Sequence, residues 1–203
     1  MPIVLDGTNG IDTPDLASAG PITGTTGTFS GAVQASGVTT NLYPLVSGTA
    51  VASTSGTSID FTGIPSWVKR ITVMLSGVSL SSTANILIQL GTGGTLTTTG
   101  YSSTGGYIST PNGAGSAGGS SSTSGFIVQL GAAAYSYFGN MVFTNISGNI
   151  WVGQGVFSNI SQAALVAISG GGVTLAGALN IVRITTVNGT DTFDAGSINI
   201  LYE

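Results

Sequence analysis

The feature that most constrains this chain is a run of 112 residues, Ile71 to Val182, without a single Asp, Glu, Lys or Arg. The whole chain of 203 residues has three cations (Lys69, Arg70 and Arg183) and seven acids, so charged residues make up 5% of it. Ordinary soluble domains contain about 25%, and they stay dispersed through surface charge of both signs. The run therefore predicts that hydroxyl and amide side chains keep the protein soluble and that part of its surface is covered in an assembly.

The residue types that most catalytic and metal sites require are missing. The chain has no Cys and no His, which excludes zinc fingers, iron–sulfur clusters, disulfide scaffolds and any triad or metal site that needs an imidazole. Three cations cannot displace the counterions of a nucleic acid. The sequence therefore predicts no cofactor, no metal and no nucleic-acid partner, and it favours a structural or binding protein.

The remaining route to catalysis is a pair of carboxylates that cleaves a sugar chain. Beyond the N-terminal segment the acids are Asp60, Asp191, Asp194 and Glu203. Asp191 and Asp194 are three residues apart, so a strand cannot place them on one face, and we expect both to cap turns in a loop. A non-enzymatic role is the prediction, and a depolymerase of surface polysaccharide is the alternative.

The most apolar window, residues 126–143, does not have the pattern of a membrane-spanning helix, because its apolar residues alternate with polar ones and with glycine. The first six residues have no basic region and no long apolar core, so no secretory signal is expected. The sequence predicts synthesis in the cytoplasm and no membrane insertion.

Residues 47–203 have the alternation typical of an all-β domain. Apolar runs bounded by Gly, Asn, Ser or Pro predict eight strands, at 71–75, 86–90, 126–130, 137–144, 150–157, 163–168, 179–187 and 198–202. Asn112-Gly113 and Asn188-Gly189 have the composition of type I′ turns, and we expect the second to close a hairpin. No window has a helical stripe, so the sequence predicts a β-sandwich head of the jelly-roll type.

Between Gly91 and Gly125 the chain is dense in Gly, Ser and Thr and contains two tyrosines, Tyr101 and Tyr107. This composition predicts a long surface loop with a central hairpin. A long loop on a rigid sheet often carries binding, so a glycan-contact loop around Tyr101 and Tyr107 is the functional hypothesis.

Two tryptophan segments have structural interpretations. Trp67 is expected to cover an edge of the sandwich, and the adjacent Lys69 and Arg70 are expected to be solvated at a strand end, with an ion pair between neighbouring chains as the alternative. Trp151, together with Tyr135 and Tyr137, either packs in the core or forms a sugar-stacking platform, and core packing is the prediction.

Residues 1–46 consist of single apolar residues separated by Gly, Ser and Thr, so this segment has no face wide enough for a core of its own. One interpretation is a disordered linker. The other is an extended shaft in which several copies wrap together. In the shaft the residues expected to point towards the common axis are Leu16, Ile22, Phe29 and Val33.

Several phrases resemble a recurrent module of fibre, appendage and other virion proteins of tailed bacteriophages. They are residues 64–79 (Ile-Pro-Ser-Trp-Val-Lys-Arg-Ile-Thr-Val-Met-Leu-Ser-Gly-Val-Ser), 88–94, 99–101 and 194–203, and residues 22–38 resemble the shaft phrases that precede such heads. The resemblance implies a homotrimer with an N-terminal anchor on the particle, a shaft and a C-terminal β-sandwich head. It supplies no catalytic motif.

Together these observations predict a structural virion protein: a homotrimeric tail fibre, spike or capsid-decoration protein with a shaft over 1–46 and a head over 47–203. Residues 1 to about 11 are expected to attach to a tail, baseplate or capsid partner, with Ile3, Leu5 and Ile11 as anchor residues. Host attachment through a surface glycan is kept as a hypothesis for the head.

Overall fold

The structure, a computed structural model, describes residues 33–35, 38–40, 44–110, 115–129, 132–133, 135–159 and 164–203. Contacts divide the chain into two units, Met1–Leu42 and Tyr43–Glu203. In the first unit the described residues are β1 (Val33–Ala35) and β2 (Val38–Thr40), which pair antiparallel. The boundary predicted between residues 46 and 47 stays a prediction. The expected anchor and shaft residues Ile3, Leu5, Ile11, Leu16, Ile22 and Phe29 lie outside the described residues.

The second unit is all-β, as predicted, and none of its described residues forms a helix. Its strands are β3 (Val46–Ser47), β4 (Val51–Ala52), β5 (Ser58–Thr62), β6 (Arg70–Leu80), β7 (Ile86–Thr92), β8 (Thr95–Leu96), β9 (Ser102–Ser109), β10 (Ser116–Ser122), β11 (Phe126–Val128), β12 (Tyr137–Ser147), β13 (Ile150–Asn159), β14 (Leu165–Thr174), β15 (Leu179–Thr186) and β16 (Phe193–Tyr202). The eight predicted strands are confirmed as β6, β7 and β11 to β16, with differences only at their ends.

These strands form two antiparallel sheets that share one hydrophobic core. The larger sheet has the order β10-β9-β14-β13-β12-β6-β16-β3, with β4 also paired to β16. The smaller sheet has the order β11-β7-β15-β5, with β8 paired to β7. The chain crosses repeatedly between the sheets, for example from β6 to β7 and from β15 to β16.

Alternation along each strand decides which face is buried, because successive side chains point to opposite faces. In β13 every second residue is buried, beginning with Trp151. Aromatic rings meet in the middle of the core, where Phe126 packs edge-on against Tyr101 and Phe143 with centroid distances of 5.3 and 4.8 Å. Such edge-to-face pairs add stability beyond the area they bury.

Between Gly91 and Gly125 the predicted central hairpin is confirmed, but the predicted long loop around it is wrong, because about half of this stretch forms β8, β9 and β10. Strands β9 and β10 pair as a hairpin, and β9 also pairs with β14. The Asn112-Gly113 turn lies outside the described residues. The second turn prediction is also wrong in its connection, because Asn188-Gly189 links β15 of the smaller sheet to β16 of the larger one and closes no hairpin.

Glycine and serine in β9 and β14 allow the larger sheet to approach the backbone of β11 closely. The Ile127 N–H donates to Ser103 Oγ at 3.0 Å, and Ser169 Oγ donates to the Ile127 carbonyl at 2.7 Å. A Cβ atom at Gly105 would lie 2.6 Å from that same carbonyl oxygen. Small residues are therefore required where two buried serines satisfy the backbone of a strand in the other sheet.

On the inner face of β13, the space that a side chain at Gly153 would need is occupied by an aromatic neighbour. It lies opposite Phe143 of β12, and a Cβ atom at Gly153 would be 2.7 Å from Phe143 Cδ1 and 3.1 Å from Met141 Cε. Carbon atoms pack at about 3.5–4.0 Å, so the larger side chains occupy the room that a residue other than glycine would need. Gly170 on the outward face of β14 has more space, since its nearest neighbour would be 3.7 Å away.

We predict that Gly153→Ala lowers the free energy of unfolding by about 1–3 kcal/mol, because the Phe143 ring must move in a packed core. Gly115→Ala is the control, since a Cβ atom there would meet nothing within 4 Å, and it should change the free energy of unfolding by less than about 0.5 kcal/mol. Urea denaturation followed by tryptophan fluorescence measures both. Equal effects of the two substitutions would contradict the packing described for the inner face.

Candidate interaction surface

The charged side chains of the second unit are engaged in separate structural contacts. Arg183 and Asp60 lie opposite each other on β15 and β5 and form a two-pronged pair with both N–O distances at 2.6 Å. This hydrogen bonding to Asp60 raises the pKa of Arg183 above its ordinary value. Arg70 pairs with Glu203 of the same chain while its side chain stays 56% exposed. Lys69 is exposed beside it, with Nζ 3.4 Å from Asn145 Oδ1, so both cations lie in solvent at the strand end as predicted, and the interchain pair stays an alternative prediction.

The two neighbouring acids also have separate partners. Asp191 accepts from the Ala84 N–H at 2.9 Å and from Asn188 Nδ2 at 2.7 Å, so it stabilises a turn as predicted. Asp194 lies in β16 instead of a loop and accepts from the Ser79 hydroxyl. The prediction of a turn cap is therefore confirmed for Asp191 and wrong for Asp194.

Two further features are absent from the part of the chain that the structure describes. No group of three or more Asp or Glu side chains there is arranged to hold a metal ion. No helix there has the length and apolar character needed to cross a membrane.

Tyr101 is a core residue, and the loop position expected for it is wrong. It is 3% exposed, and its hydroxyl accepts from the Leu90 N–H at 2.8 Å and donates to the Leu90 carbonyl at 3.2 Å. The pairing of β11 with β7 stops at Ile88. The Tyr101 hydroxyl therefore hydrogen-bonds to the backbone of β7 at Leu90, two residues beyond the point where β11 stops pairing with that strand.

Tyr107 lies within β9 and is half-buried against the core. It shares a face with the buried Ser103 and Ser109, which places it on the inner side of the larger sheet. Glycan contact by Tyr107 stays a prediction, while the Tyr101 ring has no exposed face to offer.

The two tryptophans differ in how far they are buried. Trp67 packs partly buried beside Tyr202, with ring centroids 6.1 Å apart. Trp151 is buried, as predicted, opposite Asn145 near one end of β12. Tyr137 is buried at the other end of that strand, and Tyr135 is partly buried. The alternative of a sugar-stacking platform is wrong, because stacking needs an exposed ring.

The outward face of the larger sheet is unusual because it exposes several large apolar side chains to water. Residues there form rows across the strands, and one row joins Val156 of β13 to Ile168 of β14 and to Gly106 of β9. The next row contains Phe138, Val166 and Ile108. We call the outer face the surface formed by five side chains that are 46% to 67% exposed: Ile108, Phe138, Val156, Val166 and Ile168.

Shallow hollows lie between the protruding side chains of the outer face. One of about 560 Å³ is lined by Gly106, Gly119, Gly170 and Ile168. Another of about 430 Å³ is lined by Ile108, Val166 and residues at the ends of β13 and β14. The hollows exist because glycines and small residues alternate with the protruding apolar residues along the same rows.

The outer face carries no charge. All strands that form it, β9, β10, β12, β13 and β14, belong to the uncharged run between Ile71 and Val182. Its polar groups are the hydroxyls and amides of residues such as Asn140, Gln154 and Ser158. An exposed apolar patch with a polar rim marks an interaction site more often than a chance surface.

The outer face was not predicted from the sequence, although the sequence contains a signal for it. In β13, Ile150, Val152 and Val156 occupy the positions that a half-exposed strand normally gives to polar residues. Only the pairing register shows that these positions meet the exposed positions of β12, β14 and β9.

Comparison with known proteins adds no relative, because no family model, no curated protein and no solved structure matches this chain. The resemblance to virion modules rests on the sequence phrases alone.

We predict that Tyr101→Phe lowers the free energy of unfolding by about 1–3 kcal/mol, because the Leu90 N–H loses its partner inside the core. The pH dependence provides a second readout. Burial raises the pKa of Tyr101 to about 12, while the hydrogen bond with Leu90 acts in the opposite direction. Between its unfolded pKa of about 10 and this value only the unfolded chain releases the proton, so stability falls with rising pH by about 1.4 kcal/mol per unit.

The difference in stability between wild type and Tyr101→Phe should therefore be largest below pH 10 and shrink as the pH approaches 12. Urea denaturation at pH 8, 10, 11 and 12 measures it, and the comparison cancels the ionisation of the other tyrosines. Parallel pH curves for the two proteins would show that Tyr101 is not held protonated by burial.

Proposed function

We propose that this chain is a structural, non-enzymatic protein of a bacteriophage particle: a homotrimeric fibre, spike or decoration protein attached to tail or capsid by its N-terminal segment. The observation that carries the proposal is the outer face, an exposed apolar surface without charge. A surface of this kind is tolerated when the protein works inside an assembly that covers it.

The sequence supports the same proposal from the other end of the chain. Residues 1–46 have too few apolar residues for a core, and such a segment gains order when several copies share one axis. The phrases of residues 64–79 and 194–203 resemble virion modules and lie in β6, β16 and their approaches. The proposal includes a jelly-roll-like head, which the repeated crossings of the chain between two antiparallel sheets support.

Attachment to host-surface glycans is the second part of the proposal. Because the Tyr101 hydroxyl is bonded to Leu90 inside the core, contact with a sugar has to come from other exposed residues of the head. The location that follows from the proposal is the virion, after synthesis in the host cytoplasm.

We predict a mass in solution of three times the chain mass of 20.0 kDa. Native mass spectrometry of the full chain measures it over a range of concentrations. Mass spectrometry of purified virions should detect the chain as a component, and antibody labelling in the microscope should locate it on tail, baseplate or capsid.

A mass of 20.0 kDa at every concentration would overturn the trimer, and absence from purified virions would overturn the assignment to the particle. Release of reducing ends from host surface polysaccharide would favour the alternative, a depolymerase.

A further inference from the structure

We propose that the outer face is covered by other copies of this chain and forms the contact between heads. This inference rests on the trimer proposed above and names the surface that it uses. In a trimer the outer faces of the three heads can converge on the common axis, where each contacts both neighbours. The three heads then form a closed ring in which no outer face is left uncovered.

The size of the outer face fits such a contact. Its five protruding side chains leave roughly 500 Å² of apolar surface in water, near the top of the range of about 300–600 Å² for the largest patch of a typical monomer. A stable interface buries about 800 Å² from each partner. The apolar patch supplies the centre of such a contact, and the exposed polar side chains of Asn140, Gln154 and Ser158 adjoin it.

The absence of charge from the strands of the outer face points to a like partner. A partner that relies on charge finds no counter-charge there, and any charge it buried would lose its hydration without compensation. A second copy brings the same hydroxyls, amides and apolar side chains. Its binding therefore buries no charged group and carries no cost of ion desolvation. A sugar would need exposed rings for stacking, and Phe138 is the only aromatic residue among the five side chains that define this face.

The shape of the face is suited to interlocking with itself. Protruding Val156 and Ile168 stand beside the hollow of about 560 Å³ that Gly106, Gly119 and Gly170 leave open. Ile108 and Val166 stand beside the hollow of about 430 Å³. Side chains from a neighbouring copy can enter these hollows, which gives the close packing found at the centre of stable interfaces.

The test uses thiol protection, because the chain contains no Cys and a single introduced thiol reports on one position. Ile168→Cys places the probe on the outer face, where Ile168 is 56% exposed within one chain. Val187→Cys is the matched control at a residue 50% exposed in the turn after β15. The full chain of each variant is labelled with a small maleimide, and native mass spectrometry records the assembly state in parallel.

In the trimer we expect the I168C thiol to react at least tenfold more slowly than the V187C thiol. The two rates should become equal in urea, which corrects for intrinsic reactivity. Val156→Cys, at a neighbouring position of the same face, replaces Ile168→Cys if that variant fails to assemble.

Equal labelling rates in a protein with the mass of a trimer would overturn the head contact and leave the proposed trimer standing. A monomer at every concentration would overturn both. Protection that arises only after lipid vesicles or whole virions are added would assign the face to a different partner and overturn the inference as well.

Discussion

The two sheets are held together by the side chains of their inner faces, which alternate along each strand and are almost completely removed from water. Other sources of stability are small in this unit. The chain has no Cys and so no disulfide, and the two ion pairs among the residues that the structure describes, Arg70–Glu203 and Arg183–Asp60, are each about one third exposed or more. Exposed pairs of this kind contribute about 0–1 kcal/mol. The fold therefore depends on apolar burial and on strand pairing.

Apolar burial has no direction, so polar groups inside the sandwich fix how the sheets meet. Ser103 and Ser169 of the larger sheet bind the backbone of Ile127 in the smaller sheet, and Tyr101 binds the backbone of Leu90. Each of these groups would be costly to leave unpaired in the core. They make one relative position of the sheets more favourable than its neighbours.

Much of the fold could be predicted from the sequence, because alternation in β6, β7, β12 or β13 is a local property. For β9 and β10 the same reasoning predicted only a hairpin within a long loop, because their Gly and Ser residues have low strand propensity. There the pairing with β14 and the close approach to Ile127 decide the structure, and both involve residues distant in sequence. Tyr101 was misplaced for the same reason, since its glycine-rich surroundings resemble a loop.

The candidate site was predictable only in outline. The uncharged run indicates that some surface is covered, yet it cannot show which one, because that depends on the register that aligns Val156, Ile168 and Phe138 across three strands. The exclusions drawn from missing Cys and His needed no structure, since they depend on residue type alone.

The hairpin of β9 and β10 has a consequence for how reliably the chain finds its native pairing. Strand β10 is a sequence of serines, glycines and one alanine at the end of the larger sheet, so its side chains hardly distinguish one alignment from another. The ring of Tyr107 lies directly over Gly118, where even a methyl group would come within 2.6 Å. A slip of two residues would bring a serine beneath the ring. Tyr107 thus opposes a two-residue slip along an otherwise featureless edge, and it protects that edge against mispairing of this kind.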